Sequence, residues 1–191
     1  MKTRESGMPP EEMWQEFFDP QTIMKKLGLN ERCGSVLEFG CGYGTFTVPA
    51  AQTVQGAVYA LDIDPEMLAA TGAKTEAAKL CNVELRQRDF AVEGSGLPDG
   101  SVDYVMLFNI LHADERLAML KEAWRVLAAD GKLAVIHWNH DPSTPRGPSM
   151  SIRPRPDDCR SWAEQVGFVL LPPGLIDLPP YHYGFVFQRP A

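Results

Sequence analysis

Short apolar runs alternate with amphipathic stretches along the chain. The short apolar or alternating runs predict strands at Ser35–Phe39, Ala57–Leu61, Val83–Arg88, Val102–Phe108, Lys132–Trp138, 168–171 and 183–189. Apolar residues at helical spacing predict helices over Pro10–Leu27 (interrupted at Asp19-Pro20), Thr45–Thr53, a segment that begins at Asp64, Asp114–Ala128 and Pro156–Val166.

This order of elements predicts one α/β domain over residues 1–191. Strands that alternate with helices form βαβ units, so we expect a three-layer α/β/α, Rossmann-like fold with a mostly parallel sheet. The last two strands are joined by a segment too short for a helical crossover, which favours a hairpin and an antiparallel last strand. Within the domain, residues 1–30 are predicted to form a helical lid, and residues 139–156 an irregular loop on the substrate side.

Three glycines follow the first strand in the sequence VLEFGCGYGTF, residues 36–46. Glycine in a regular element costs roughly 0.5–1 kcal/mol relative to alanine, so their concentration needs a cause. A glycine-rich turn at the carboxyl end of a strand permits unusual backbone angles and leaves space for a ligand. The helix that follows presents free N–H groups to a carboxylate or phosphate.

The spacing of these glycines distinguishes between cofactors. Dinucleotide-binding proteins use G-x-G-x-x-G, whereas here Gly40 and Gly42 are followed by Thr45 at the third glycine position and by Gly44 one residue earlier. Glu38 stands two residues before Gly40. The pattern E-x-G-x-G-x-G resembles the first motif of the class I S-adenosylmethionine-dependent methyltransferases. The alternative is a tight turn without a ligand.

An acidic residue, Asp62, follows the second predicted strand. A carboxylate at this position can accept hydrogen bonds from both hydroxyls of a ribose. Asp64 is better placed to cap the next helix, which leaves Asp62 for a ligand. Because NAD-dependent enzymes carry the same acid, Asp62 predicts a ribose but does not distinguish between the two cofactors.

Three further segments resemble methyltransferase motifs in the same order. They are RDF at 88–90, LPDGSVDYVMLFNILH at 97–112 and LKEAWRVLAADGKLAVIHW at 120–138, so that the resemblance covers Ser35 to Trp138. It implies S-adenosylmethionine as the cofactor and S-adenosylhomocysteine as its product. The cofactor contacts that it implies are Glu38, Gly40, Cys41, Gly42, Gly44, Asp62, Ile63, Asp89, Phe90 and Asn109.

The resemblance also implies roles for some of these residues. Glu38 and the backbone of the glycine loop would hold the methionine end. Ile63 would pack on the adenine, and Asp89 would bind its amino group. Beyond Trp138, the segments GPS at 147–149, AEQVGF at 163–168 and PPYHYGFVFQ at 179–188 resemble the ubiquinone/menaquinone-biosynthesis-like branch, whose substrates vary.

The sequence does not identify a catalytic residue. Methyl transfer from a sulfonium needs mainly alignment and a dry pocket, with a general base only where the nucleophile must lose a proton. His112, His140 and Tyr183 are candidates, although the position of His112 favours a polar residue at a helix start over a general base. His137 and His140 are three residues apart at a strand–loop junction, where that spacing does not define a shared metal-binding face, so no metal is predicted.

Two segments are expected on the substrate side. The loop 139–156 carries Arg146, Arg153 and Arg155, which could grip an acidic substrate or remain solvated. In the leading helix, Trp14, Phe17 and Phe18 could dock the helix on the sheet, cover the cofactor, or do both.

The composition of the chain limits the kinds of partner and the cellular setting that we expect for it. The net charge of −7 and pI of about 5.1 are unfavourable for a nucleic-acid binder, and 45% hydrophobic residues indicate a folded chain. The sequence contains no apolar run long enough for a membrane span, no apolar secretory signal and no C-x-x-C pair. We therefore expect a cytoplasmic enzyme with a small-molecule substrate, as a monomer or homodimer. The alternatives are a non-catalytic S-adenosylmethionine-binding regulatory module, an NAD-dependent oxidoreductase and an RNA methyltransferase.

Overall fold

The computed structural model of the chain describes residues 9–191. Residues 1–8, the start of the predicted 1–30 lid, lie outside the described residues. The helices are α1 Glu11–Gln15, α2 Pro20–Lys26, α3 Thr47–Thr53, α4 Pro65–Ala77, α5 Phe90–Glu93, α6 Arg116–Val126 and α7 Pro156–Val166. The strands are β1 Val36–Phe39, β2 Val58–Asp62, β3 Val83–Gln87, β4 Val102–Phe108, β5 Leu127–Trp138, β6 Val169–Leu170, β7 Ile176–Leu178 and β8 His182–Gln188.

The strands form one sheet in the order β3-β2-β1-β4-β5-β8-β6, and β7 also pairs with β8. Strands β1 to β5 are parallel to their neighbours in this set. Strand β8 is antiparallel to β5, β6 and β7. The predicted Rossmann-like sheet with an antiparallel last strand is therefore confirmed.

Each face of the sheet carries its own hydrophobic core. Leu37, Val105 and Val135 face α6 and α7, whose Ala123 and Cys159 are fully buried. The alternate positions Val36, Tyr104, Met106 and Ala134 face α2 and α3. Because successive side chains of a strand point to opposite faces, central strands buried on both sides are apolar at nearly every position. This explains why they read as continuous apolar runs in the sequence.

Aspartates define the starts of two helices. The Asp19 side chain accepts a hydrogen bond from the Thr22 backbone N–H and separates α1 from α2, at the predicted interruption. Asp64 caps α4 through the Glu66 N–H. In both helices the next residue is a proline, whose missing N–H costs nothing at the first helical position.

The predicted elements differ from the structure mainly where elements are short. Helix α5 and strand β7 are absent from the prediction, because four and three residues are too few to show a period. Helix α6 also ends two residues before the predicted Ala128, because Leu127 already pairs with Val102. Among residues 9–191, no helix has the length and apolar character needed to cross a bilayer.

Candidate cofactor and substrate site

A cavity of about 540 Å³ opens at the carboxyl ends of the parallel strands. Its walls come from α1 and from the loops that follow β1, β2, β3, β4 and β5. The last of these loops contributes residues 145–148. Of the predicted site residues, those that line it are Glu38, Gly40, Cys41, Gly42, Asp62, Ile63, Phe90, Asn109 and His112. This is the edge at which ligands bind in open α/β sheets.

The glycine loop adopts a backbone that other residues rarely take. Gly40, Gly42 and Gly44 have φ of 75°, 54° and 73°. The Gly40 and Cys41 N–H groups donate to the Leu61 carbonyl at 2.8 and 2.9 Å, which ties the loop to the end of β2. Gly44 lies outside the cavity lining, and a Cβ there would approach Thr71 of α4 to 3.0 Å. Gly44 is thus required for helix packing and turn geometry, while Gly40 and Gly42 face the cavity.

Asp62 is positioned by backbone donors. The Gly42 N–H donates to one carboxylate oxygen at 2.9 Å and the Asp64 N–H to the other at 3.0 Å. Burial raises the pKa of Asp62, and these two hydrogen bonds oppose the rise. A carboxylate has about four acceptor sites, so this one retains capacity for the two hydroxyls of a ribose.

Glu38 is buried on the α3 side of β1, where the Thr47 hydroxyl donates to its carboxyl group at 2.5 Å. Burial raises the pKa of Glu38 to about 8, against the lowering by Thr47, and the nearby Asp62 charge adds to the rise. A cationic group in the cavity would lower this pKa again. Glu38 therefore fits the ammonium-bearing end of a ligand.

The predicted adenine-side residues divide into two groups. Ile63 and Phe90 line the cavity, and Phe90 packs edge-on against Phe39 with ring centroids 5.2 Å apart. Asp89 lies outside the lining; its backbone carbonyl accepts hydrogen bonds from Val92 and Glu93 at the start of α5. Ile63 and Phe90 thus present apolar surface to the cavity, whereas Asp89 does not line it.

Asn109 and His112 lie in the loop after β4 and line the cavity. Asn109 has φ of 59°, a conformation unusual for a residue with a side chain, and such strain is often found at functional sites. Within residues 9–191, neither polar atom of its buried amide has a hydrogen-bond partner, nor does His112 Nδ1. Burial lowers the pKa of His112, opposed by the Asn109 backbone.

The other two catalytic candidates lie outside the cavity lining. The His140 Nδ1 atom is 2.9 Å from the Arg153 carbonyl. The Tyr183 hydroxyl donates to the Pro154 carbonyl at 3.1 Å and lies 3.3 Å from the Cys159 sulfur. Both side chains therefore hold the segment after β5, and their positions do not support a catalytic role. Across residues 9–191, the structure contains no group of three or more potential metal ligands.

Helix α1 covers one side of the cavity and is attached to the glycine loop. The Trp14 indole N–H donates to the Thr45 hydroxyl at 3.1 Å, and the Tyr43 hydroxyl donates to the Pro9 carbonyl at 2.9 Å. An ion pair joins Glu11 to Lys74 of α4. The helix is thus fastened to the loop that would hold the cofactor.

The loop after β5 forms a second cover, through residues 145–148. Its organiser is Arg153, which is buried and donates to the carbonyls of Asn139, Asp141, Arg146 and Pro148. Since these carbonyls occupy its guanidinium, Arg153 holds the loop instead of gripping a substrate. Arg155 precedes α7 and lies outside the lining, whereas the exposed Arg146 lies at the cavity wall.

Aromatic residues form a further part of the cavity wall. Phe46 and Phe108 pack edge-on with centroids 4.8 Å apart, and Trp14 contacts Trp138 at 6.5 Å. Sequence reasoning did not select Phe46, Phe108 or Trp138, because each also reads as an ordinary core position. Thr47, the partner of Glu38, had no sequence signal either.

The model of the family described as a methyltransferase domain matches residues 36–131 of this chain. The chain belongs to the class I S-adenosylmethionine-dependent methyltransferases. The matched segment contains the glycine loop, Asp62, Phe90 and Asn109, which are the predicted cofactor residues. The aromatic wall at Trp14 and Trp138 and the cover at 145–148 lie outside it.

Individual relatives agree with this assignment. A demethylmenaquinone methyltransferase from Listeria welshimeri is 32% identical over 109 residues, which cover 53% of this chain and 44% of the relative. The match therefore spans less than half the length of the curated relative. A crystal structure of a methyltransferase from Aquifex aeolicus, described as dependent on S-adenosylmethionine, is 27% identical and superposes with a TM-score of 0.80, covering 94% of this chain and 93% of that one.

A more distant structure contains the cofactor. It is phosphoethanolamine N-methyltransferase 2 from Haemonchus contortus in complex with S-adenosyl-L-methionine, with a TM-score of 0.74, 15% identity, and coverage of 90% of this chain and 52% of that one. At that identity the likeness concerns the fold alone. This chain has its cavity at the carboxyl edge of the same kind of sheet.

Proposed function

We propose that this methyltransferase transfers the methyl group of S-adenosylmethionine to a small-molecule acceptor by in-line displacement. One observation carries the proposal. The cavity is lined both by the family's cofactor residues and by the aromatic side chains of Trp14, Phe46, Phe108 and Trp138, and two segments cover it. Such a cavity can hold a donor and an acceptor side by side.

The predicted cofactor residues in the cavity lining suit the separate parts of S-adenosylmethionine. Asp62 retains acceptor capacity for ribose hydroxyls, and buried Glu38 suits an ammonium group. Ile63 and Phe90 offer apolar surface for an adenine, and Asn109 also lines the cavity. When bound, S-adenosylmethionine would supply an activated methyl group on a positively charged sulfur.

The protein's own contribution would be alignment and exclusion of water. Helix α1 and residues 145–148 cover the cavity from two sides, and Arg153 holds the second cover in place. Orientation in a closed site can contribute about 7–11 kcal/mol of barrier lowering. We propose that α1 acts as a lid, because Trp14 within it and Pro9 just before it are hydrogen-bonded to residues of the glycine loop.

The aromatic lining and the two covers favour an enzyme over the alternatives. A non-catalytic S-adenosylmethionine-binding module needs no lining for an acceptor, and an NAD-dependent oxidoreductase would have a glycine where this chain has Thr45. The net charge of −7 and the two covers disfavour an RNA acceptor. The four free cysteines agree with a reducing, cytoplasmic setting, where we place the protein as a monomer or homodimer.

Calorimetric titration tests the cofactor first. Purified protein is titrated in parallel with S-adenosylmethionine, S-adenosylhomocysteine and NAD, and we expect micromolar binding of the first two alone. Release of S-adenosylhomocysteine in the presence of an acceptor library then tests turnover. Binding of NAD alone would overturn the proposal, and cofactor binding without turnover on any acceptor would favour the regulatory module.

A further inference from the structure

The cavity wall carries an arginine whose charge is not used by the protein. Among residues 9–191, Arg146 is the only arginine or lysine that lines the cavity. The residue is exposed, and within this part of the chain its guanidinium has no hydrogen-bond, ion-pair or ring partner. It differs in this from Arg153, whose guanidinium is occupied by backbone carbonyls. Arg146 therefore keeps its N–H donors for a ligand.

The backbone that carries Arg146 is held in place by Arg153. The Arg146 carbonyl accepts a hydrogen bond from Arg153 Nη2 at 3.1 Å. The Pro148 carbonyl accepts two more from the same guanidinium, at 3.0 and 2.8 Å. Pro145 and Pro148 also flank the pair Arg146-Gly147 and restrict its backbone. The loop thus presents Arg146 at a defined place on the wall.

Gly147 brings this backbone against an aromatic part of the wall. It has φ of 115°, and a Cβ there would come within 2.9 Å of Trp138 Cγ and 2.8 Å of Arg153 Nη2. Such a close approach requires glycine. Trp138 itself lines the cavity, as do Pro145 and Pro148. The arginine is therefore attached beside apolar surface, which suits a ligand with an apolar body and an anionic group.

The acids in the cavity lining do not neutralise Arg146. They are Glu38, Asp62 and Glu115. The carboxyl group of Glu38 accepts from Thr47, and that of Asp62 accepts from backbone N–H groups. Within residues 9–191, none of the three forms an ion pair with Arg146. An anionic ligand would supply the missing partner, whereas a cationic one would be repelled.

We propose that Arg146 binds an oxyanion group of the methyl acceptor, a carboxylate or a phosphate, so that the substrate is a small organic anion. The proposal rests on the function proposed above. A guanidinium matches both groups through two parallel hydrogen bonds. Arg146 lies beyond the matched family segment 36–131, which contains the predicted cofactor residues. This position favours the acceptor over the carboxylate of S-adenosylmethionine as its partner.

Three probes of similar size test the proposal without knowledge of the natural acceptor. They are phenylacetate, phenyl phosphate and the neutral phenylacetamide. Each is titrated by calorimetry into the full chain saturated with S-adenosylhomocysteine. We expect at least one anion to bind about tenfold more tightly than the amide, because hydrogen bonds between charged groups are the stronger ones. The anion that binds more tightly identifies the group that Arg146 recognises.

Two arginine variants locate the effect. Arg146→Gln should lower the affinity for the preferred anion about tenfold, to that of phenylacetamide, and leave the binding of phenylacetamide unchanged. Arg155→Gln is the matched control, because Arg155 is an exposed arginine of the same segment that lies outside the cavity lining. It should keep the wild-type preference. An unchanged affinity for S-adenosylhomocysteine checks that both variants are folded.

The outcomes separate this inference from the proposed function. Failure of S-adenosylhomocysteine to bind to wild type would overturn the proposed function itself. If it binds, the inference is wrong when neither anion is preferred, when the preference persists in Arg146→Gln, or when Arg155→Gln loses it equally. It is also wrong if Arg146→Gln weakens S-adenosylhomocysteine binding and leaves the probes unaffected, since Arg146 would then serve the carboxylate of the cofactor.

Discussion

The buried carboxyl group of Glu38 makes cofactor affinity depend on pH. Its pKa is raised to about 8, so at pH 7 most molecules carry a neutral Glu38. An S-adenosylhomocysteine ammonium group placed beside it requires the ionised form. The ionisation must therefore be driven by the free energy of binding.

The free energy needed to ionise Glu38 depends on the difference between its pKa and the pH. At 1.36 kcal/mol for each unit, ionising Glu38 costs about 2.7 kcal/mol at pH 6, about 1.4 kcal/mol at pH 7 and little above pH 8. Affinity should accordingly rise about ninefold from pH 6 to 7, about fivefold from pH 7 to 8, and then level off. Binding at pH 7 should release nearly one proton.

Calorimetry at several pH values measures both the affinity and the number of protons released. Proton release is detected because the heat of binding then depends on the ionisation enthalpy of the buffer. Glu38→Gln should bind more weakly at pH 8 and lose the pH dependence, while its Gln side chain can still accept from Thr47. The exposed Glu76→Gln on α4 is the matched control and should keep the wild-type profile.

The pH dependence of the free energy of unfolding tests the raised pKa of Glu38 independently of ligand binding. Between about pH 4.5 and 8, native Glu38 binds a proton that the unfolded chain has lost, so the free energy of unfolding should fall as pH rises through this window. Glu38→Gln should remove that part of the decline. A wild-type affinity that is flat from pH 6 to 8, or a Glu38→Gln profile identical to wild type, would refute the reasoning.

Three further predictions concern other parts of the molecule. Asp62→Asn should weaken S-adenosylhomocysteine binding by about 2 kcal/mol, because a charged acceptor for the ribose hydroxyls is lost. Calorimetry should show this as an increase in Kd of about thirtyfold, and an unchanged Kd would contradict the ribose assignment. Trp14→Phe removes the hydrogen bond to Thr45, which should lower the free energy of local unfolding of α1 by about 1 kcal/mol. Proteolysis within α1 should then be about fivefold faster, and equal rates would contradict the attachment of the lid. Burial raises the pKa of Glu122, but hydrogen bonds from Arg125 and Ser95 bring it down to about 2. Because solvent screens this partly exposed pair, Glu122→Gln should cost about 1–2 kcal/mol in urea unfolding at pH 7. The difference from wild type should shrink as pH falls from about 4.5 towards 2, and a constant difference would argue against this ionisation.

Most of the sheet was predictable because its signals are local. The runs at Val36–Phe39 and Val102–Phe108 are apolar throughout, and Asp19 and Asp64 mark helix starts next to prolines. Short elements such as α5 and β7 were missed because they have no period of their own. The cofactor residues that were predicted lie within five residues of strand ends, where chain position already implies the edge of the sheet.

The catalytic candidates show where local signals fail. His112, His140 and Tyr183 are all polar residues close to strand ends, yet only His112 lines the cavity. Tyr183 lies on β8, where a single step in register would exchange its face. Arg153 was expected at the substrate and instead holds the covering loop, because it is buried among backbone carbonyls that the sequence does not reveal.

The sequence alone therefore determined the fold, the glycine loop and the acids beside it, since apolar period, helix caps and glycine spacing are properties of neighbouring residues. Only the tertiary structure decided which polar groups share the cavity and what state they adopt. Glu38 gains its raised pKa from burial and from Asp62 on another strand, and His112 meets His137 across β4 and β5. Burial and contacts between distant residues arise only when the strands assemble, and those two factors control the chemistry of the site.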